Sequence, residues 1–145
     1  MNAQPWHFVI IESEERKRQV GGLCEKGEKR FYEKATGRLG EWLEKKEFTW
    51  GKPFLSEAPY LVLVFADMKA PFTVHSTWIA LGLALEEEGM GTVTYTPPNG
   101  NLVNEPKNYL LQKILPIGYP DDEKPKYGRK KLEDVVSFES FKPRP

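Results

Sequence analysis

Cysteine is nearly missing: Cys24 stands alone in 145 residues, so the chain can build neither an internal disulfide nor a cysteine-based zinc site. Histidine is scarce too. His7 and His75 are far apart in sequence, and no carboxylate cluster beside them marks a metal centre. There is no excess of one charge. Lys plus Arg is 21 and Asp plus Glu is 21, which removes the electrostatic reason to propose nucleic acid or an anionic membrane as partner. No apolar run approaches the roughly 20 residues that cross a bilayer. The opening MNAQPWHF has no basic segment followed by an apolar one, so no secretory signal is visible and a cytoplasmic location is the expectation. G-x-S-x-G, the P-loop, H-E-x-x-H and G-x-G-x-x-G are all absent, which leaves the common hydrolase, nucleotide and zinc-protease signatures without support.

What is present suits one globular domain over residues 1–145, with 39% apolar and 29% charged residues. Its centre is the stretch Phe72 to Thr96. Thr73 offers an N-cap, and Trp78, Ile79, Ala80, Leu81, Leu83, Ala84 and Leu85 follow with little polar interruption. A helix apolar on nearly all sides is expected to be buried. Gly89 offers a C-terminal stop. Thr92 to Tyr95 then reads as a strand, ended by Pro97 and Pro98. Backbone N–H groups at the end of such a strand can meet a ligand closely.

Around this unit, Pro5 to Glu12 and Ala58 to Asp67 read as strands covered on both faces, because both alternating sets are apolar. Ser13 caps a helix expected to end at Gly21 and Gly22. Glu25 to Lys46 gives a second helical pattern carrying Phe31, Ala35, Leu39 and Trp42 or Leu43. Glu47 to Leu55 reads as an aromatic-rich loop. Asn108 to Tyr119 is a further strand, with Pro116 expected at a bulge or an edge. From Pro120 to the end the chain is a charged arm with a short strand over Leu132 to Phe138, suited to lying on a second copy of the chain. The fold class is α+β, built on one mixed sheet. On residue type alone His7 and His75 are packed or solvated histidines, Cys24 is an inert thiol, and Lys124, Lys126, Arg129, Lys130 and Lys131 are a solvated surface or a phosphate-binding cluster.

Five segments, in order, resemble the flavin-dependent nitroreductase family: Asn2-Ala3-Gln4-Pro5-Trp6-His7-Phe8-Val9; Ala58 to Ala66; the helix Ser76 to Glu88 with Gly89-Met90-Gly91-Thr92; Leu115-Pro116-Ile117-Gly118-Tyr119-Pro120; and Arg129-Lys130-Lys131-Leu132-Glu133-Asp134-Val135-Val136. The resemblance implies a mainly antiparallel sheet flanked by helices, a homodimer, and an FMN site at its interface. It places Asn2, Gln4 and Pro5 near the flavin, and the amides of Thr94, Tyr95 and Thr96 at the flavin N5 and O4 edge. Arg129 and Lys131 fall where the family holds the FMN phosphate, and Lys52 falls near a phosphate- or ring-contacting position. Pro97 departs by having no N–H. The family's two leading helices and their basic motif precede the segment at which this sequence opens, so weaker FMN binding is expected.

The activity implied is hydride transfer from NAD(P)H through flavin N5 to a nitroaromatic or quinone in a ping-pong cycle, with no protein acid or base. A flavin-free binding or structural relative is the rival from another class. A sister activity, flavin fragmentation or dehalogenation, is the third reading.

Overall fold

The computed structural model describes residues 4–69, 74–98, 101–121, 131, 136, 137 and 139. Asn2, the Thr73 cap, the His75 side chain, Lys124, Lys126, Arg129, Lys130 and most of the strand expected over Leu132 to Phe138 lie outside the described residues.

Strands β1 (Trp6–Ile11), β2 (Tyr60–Asp67), β3 (Gly91–Thr92) and β4 (Tyr109–Gly118) form one sheet in the order β1-β2-β4-β3. Every described ladder is antiparallel. Helices α1 (Glu14–Lys34), α2 (Arg38–Lys45), α3 (Phe54–Glu57) and α4 (Val74–Glu87) complete the architecture. The unbroken apolar run of β2 has a simple cause. Leu61, Leu63 and Phe65 face Val20 and Cys24 of α1 and Leu55 of α3; Val62, Val64 and Ala66 face Trp78, Leu81 and Leu85 of α4. Each face therefore has its own core, and β2 lies between them.

Several expectations meet corrections. The first helix does not end at Gly21 and Gly22; α1 runs through both to Lys34. Ser13 caps it as expected, its hydroxyl accepting from the Arg16 N–H. Two helical glycines cost about 0.5–1 kcal/mol each relative to alanine. Burial of Val20 and Cys24 offsets that, and the Lys17 ammonium donates to the carbonyls of Ala58 (2.7 Å) and Pro59 (3.1 Å). The break comes later, at Gly37, whose φ of 59° is left-handed. The expected aromatic loop ends in the short helix α3.

β1 is an edge strand and not covered on both faces: Ile10 is 63% exposed. Likewise α4 is not enclosed by its own chain. Leu85 is buried, but Ile79 and Leu83 are 50% and 65% exposed, because α4 packs on the sheet with one side only. Gly89, at φ 71°, stops it as expected.

Pro116 sits neither at an edge nor at the bulge. It is in β4, paired with Leu61 of the central strand. Its ring nitrogen has the same parity as the Ile114 N–H, which donates to Tyr95 O at 2.9 Å, so the missing donor points toward β3. There the β3–β4 ladder is interrupted, between the Thr92–Ile117 pair and the Tyr95–Ile114 bridge. The bulge lies at Gln112, between the Val64–Lys113 and Phe65–Leu111 pairs. It resets the alternation, so Leu111 and Ile114 both face α1 while Lys113 joins the α4 side.

Candidate functional site

The sheet edge at residues 92–96 combines exposed backbone with polar side chains. Register with β4 puts the side chains of Thr92, Thr94 and Thr96 on the α4 side, with Tyr95 on the α1 side. The amides alternate with them. Tyr95 N–H donates to Ile114 O at 3.0 Å, so it is committed to the sheet and is not the ligand-facing donor expected of it. The N–H groups of Thr94 and Thr96 point the other way, off the free edge. On the same side the Lys113 ammonium donates to Thr96 Oγ1 at 2.5 Å and lies 5.5 Å from the centroid of the Trp78 ring. Trp78 Nε1 and Thr92 Oγ1 are buried and, among the described residues, have no hydrogen-bond partner. Outward amides, a cation and two unsatisfied polar atoms together suit a planar ring bearing nitrogen and oxygen at its rim, such as a flavin.

Tyr95 leads from this edge to a second polar group on the α1 side. Its hydroxyl donates to Glu28 Oε1 at 3.0 Å. The other carboxylate oxygen, Oε2, lies 3.7 Å from Lys52 Nζ, and both side chains are only 16% exposed. Lys52 Nζ also donates to Thr49 O at 2.6 Å and stands 5.5 Å from the Tyr32 ring centroid. The Lys52 N–H donates to Glu25 Oε1 at 2.7 Å, which ties the loop before α3 to α1. Glu28 and Tyr32, four residues apart, share one face of α1. Burial, and then the nearby negative charge of Cys24 and Glu28, pushes the Tyr95 hydroxyl well up. Burial pushes the Cys24 thiol up to about 11. Burial and the Glu28 charge raise Tyr32 as well. Tyr95 therefore stays protonated, a permanent donor, and Cys24 is the inert thiol expected of it.

The other expected positions are dispersed. Pro5 is buried and its carbonyl accepts from Asp67 N at 2.7 Å, extending the β1–β2 pairing; Gln4 beside it is exposed, with φ 41°. Both sit at the β1 edge, with two strands between it and the β3 edge, a separation of about 14 Å or more at the usual strand spacing. Lys131 is exposed. One chain thus unites Thr94, Tyr95, Thr96 and, through Tyr95, Lys52, but not Gln4 or Pro5. Glu28, Tyr32, Trp78 and Lys113 join them, and the family resemblance places none of these four at a site. Glu28 and Tyr32 carried one available signal, helical i,i+4 spacing, masked by the other charged residues along α1.

No family model matches the chain. It is 53% identical to the iodotyrosine deiodinase of Thermotoga neapolitana over 97% of this chain and 78% of that protein. It is 34% identical to the iodotyrosine deiodinase of Nematostella vectensis, over 93% of this chain but 59% of that protein's length. A crystal structure of oxidised iodotyrosine deiodinase bound to FMN and 3-iodo-L-tyrosine matches with a TM-score of 0.82 and 53% identity, over 97% of this chain and 79% of that one. An FMN-dependent nitroreductase from Clostridium difficile R20291 matches with a TM-score of 0.62 at 19% identity, over 96% of this chain and 78% of that one, a likeness of fold.

Proposed function

The chain belongs to the iodotyrosine deiodinase family, on a nitroreductase fold, and from that premise we propose that it is an FMN-dependent reductive dehalogenase of iodotyrosine-like amino acids. The observation that carries the reading is the Glu28–Lys52 pair. A carboxylate and an ammonium 3.7 Å apart, in a largely covered setting, complement the ammonium and carboxylate of a free amino acid. Tyr32, beside them, offers a ring and a hydroxyl. Nitroaromatics and quinones carry no zwitterion and have no use for such a pair.

When bound, FMN supplies the two electrons that, with one proton, convert a carbon–iodine bond into a carbon–hydrogen bond and iodide. The chain's own residues position and polarise. The Thr94 and Thr96 amides aim donors at the rim of the ring, and Lys113 adds a positive charge beside Thr96, which favours developing negative charge. Glu28 and Lys52 hold the ends of the amino acid, so the halogenated ring has one place to go.

Gln4 and Pro5, with Asn2, Arg129 and Lys131, complete the site in this proposal when two copies pair. The separation of the β1 and β3 edges supports that, as does the uncovered α4 side at Ile79 and Leu83. NAD(P)H-driven ping-pong reduction of nitroaromatics is the second reading, favoured by the FMN-dependent nitroreductase among the fold neighbours.

Both are tested by incubating the protein with FMN, dialysing it, recording the flavin absorbance, and assaying turnover. The expected result is retained flavin and, with dithionite as reductant, L-tyrosine from 3-iodo-L-tyrosine at a kcat/KM far above that for a nitroaromatic with NAD(P)H. The reverse order would overturn the assignment. A protein that retains no flavin and turns over neither would favour the flavin-free relative.

A further inference from the structure

We infer that Tyr95 is a positioning residue for the substrate's amino-acid end: its hydroxyl fixes the Glu28 carboxylate at a set distance from the flavin-facing strand edge. This rests on the reading of Glu28 and Lys52 as the clamp for that end.

Tyr95 exchanges both of its main-chain hydrogen bonds with Ile114, at 3.0 and 2.9 Å, so its Cα is set by the sheet. Tyr95 is 8% exposed, which leaves its side chain little rotamer freedom. The Phe54 ring packs edge-on against it, with ring centroids 6.0 Å apart. A donor held this firmly fixes whatever accepts from it. The acceptor is Glu28 Oε1, from a helix 67 residues earlier in the chain.

The two carboxylate oxygens of Glu28 thus have separate duties. Oε1 takes the tyrosine hydroxyl, and Oε2 faces Lys52 and the substrate. Without the hydroxyl, the carboxylate has other staggered rotamers open to it and must be ordered by the substrate itself. Tyr95 also lies between Thr94 and Thr96, whose amides face the proposed flavin. One residue therefore spans the two halves of the site, on the α1 and α4 sides of the sheet. The distance from amino-acid end to flavin edge becomes a fixed dimension, which selects substrates by length.

The test compares Tyr95→Phe and Glu28→Gln in the FMN-loaded protein, with 3-iodo-L-tyrosine and with 2-iodophenol, which lacks the amino-acid end. Affinities are read from quenching of flavin fluorescence. In Tyr95→Phe the preference for 3-iodo-L-tyrosine over 2-iodophenol is expected to fall about tenfold, the size of one hydrogen bond to a charged group. The loss appears in KM more than in kcat, and it is not additive with Glu28→Gln in the double variant. If Glu28→Gln lowers the preference and Tyr95→Phe does not, the positioning role is overturned while the clamp stands. If neither changes it, the clamp itself fails and the inference fails with it. Equal weakening of FMN and both ligands in Tyr95→Phe would mark a purely structural role and would also overturn it.

Discussion

The Lys113 ammonium donates to the Thr96 hydroxyl at 2.5 Å, and the contact exists because the bulge at Gln112 turns Lys113 toward the α4 side. Without the bulge, strict alternation from Leu111 would send Lys113 to the α1 core. The contact places the cation beside the strand edge proposed to face FMN. Lys113→Gln is expected to raise the FMN dissociation constant about tenfold, roughly 1.4 kcal/mol, read by fluorescence titration. Unchanged binding would remove Lys113 from the site.

Two glycines should respond to alanine in opposite directions. At Gly21 an added Cβ would meet Leu55 Cβ at 3.6 Å, an ordinary contact, and the position is helical. Gly21→Ala is expected to stabilise by about 0.5–1 kcal/mol in urea unfolding. At Gly118 the added Cβ would fall 2.7 Å from Pro59 Cδ, an atom of a rigid ring. Gly118→Ala should destabilise by about 1–3 kcal/mol, and a neutral result would contradict the packing described at the end of β4.

Lys17 is a buried charge that links α1 to the turn before β2, and both of its partners are main-chain carbonyls. Lys17→Met keeps the length but leaves those carbonyls unpaired. The expected loss is about 1–3 kcal/mol, seen as a lower urea midpoint with an unchanged slope.

Cys24 and Tyr95 give the stability a pH dependence of known sign. The folded Cys24 thiol is raised from 9.0 to about 11, and Tyr95 is raised from 10.0, so the fold favours the neutral form of each. Their contribution is complete below about pH 9 and is lost as pH climbs toward 11 and beyond. Urea midpoints should fall across that window, and less steeply in Cys24→Ala. A variant as steep as the parent would contradict the burial of the thiol.

Much of this fold was legible because it rests on strong local signals. The run from Tyr60 to Phe65, the Ser13 cap and the Gly89 stop each answer to one short-range cause. The failures are tertiary. Gly21 and Gly22 look like a stop until Val20, Cys24 and Lys17 are seen to hold the helix in place. Pro116 looks like an edge residue until its nitrogen is seen to point at a gap in β3. The composition of α4 records how apolar it is, not which side its own chain covers. In the site, the family resemblance points to Thr94 and Thr96, while nothing in the sequence separates Glu28 and Tyr32 from the other polar residues of α1, because their partner Lys52 arrives from a distant loop.

The central claim is that this chain spends the electrons of bound FMN on a carbon–iodine bond. Its most direct test is anaerobic: reduce the FMN-loaded protein with one equivalent of dithionite, remove excess reductant, add 3-iodo-L-tyrosine, and quantify iodide, L-tyrosine and the flavin spectrum. The account predicts iodide and tyrosine in equal amounts, about one per flavin, with return of the oxidised flavin absorbance. Flavin that stays reduced while 3-iodo-L-tyrosine is recovered intact would contradict it.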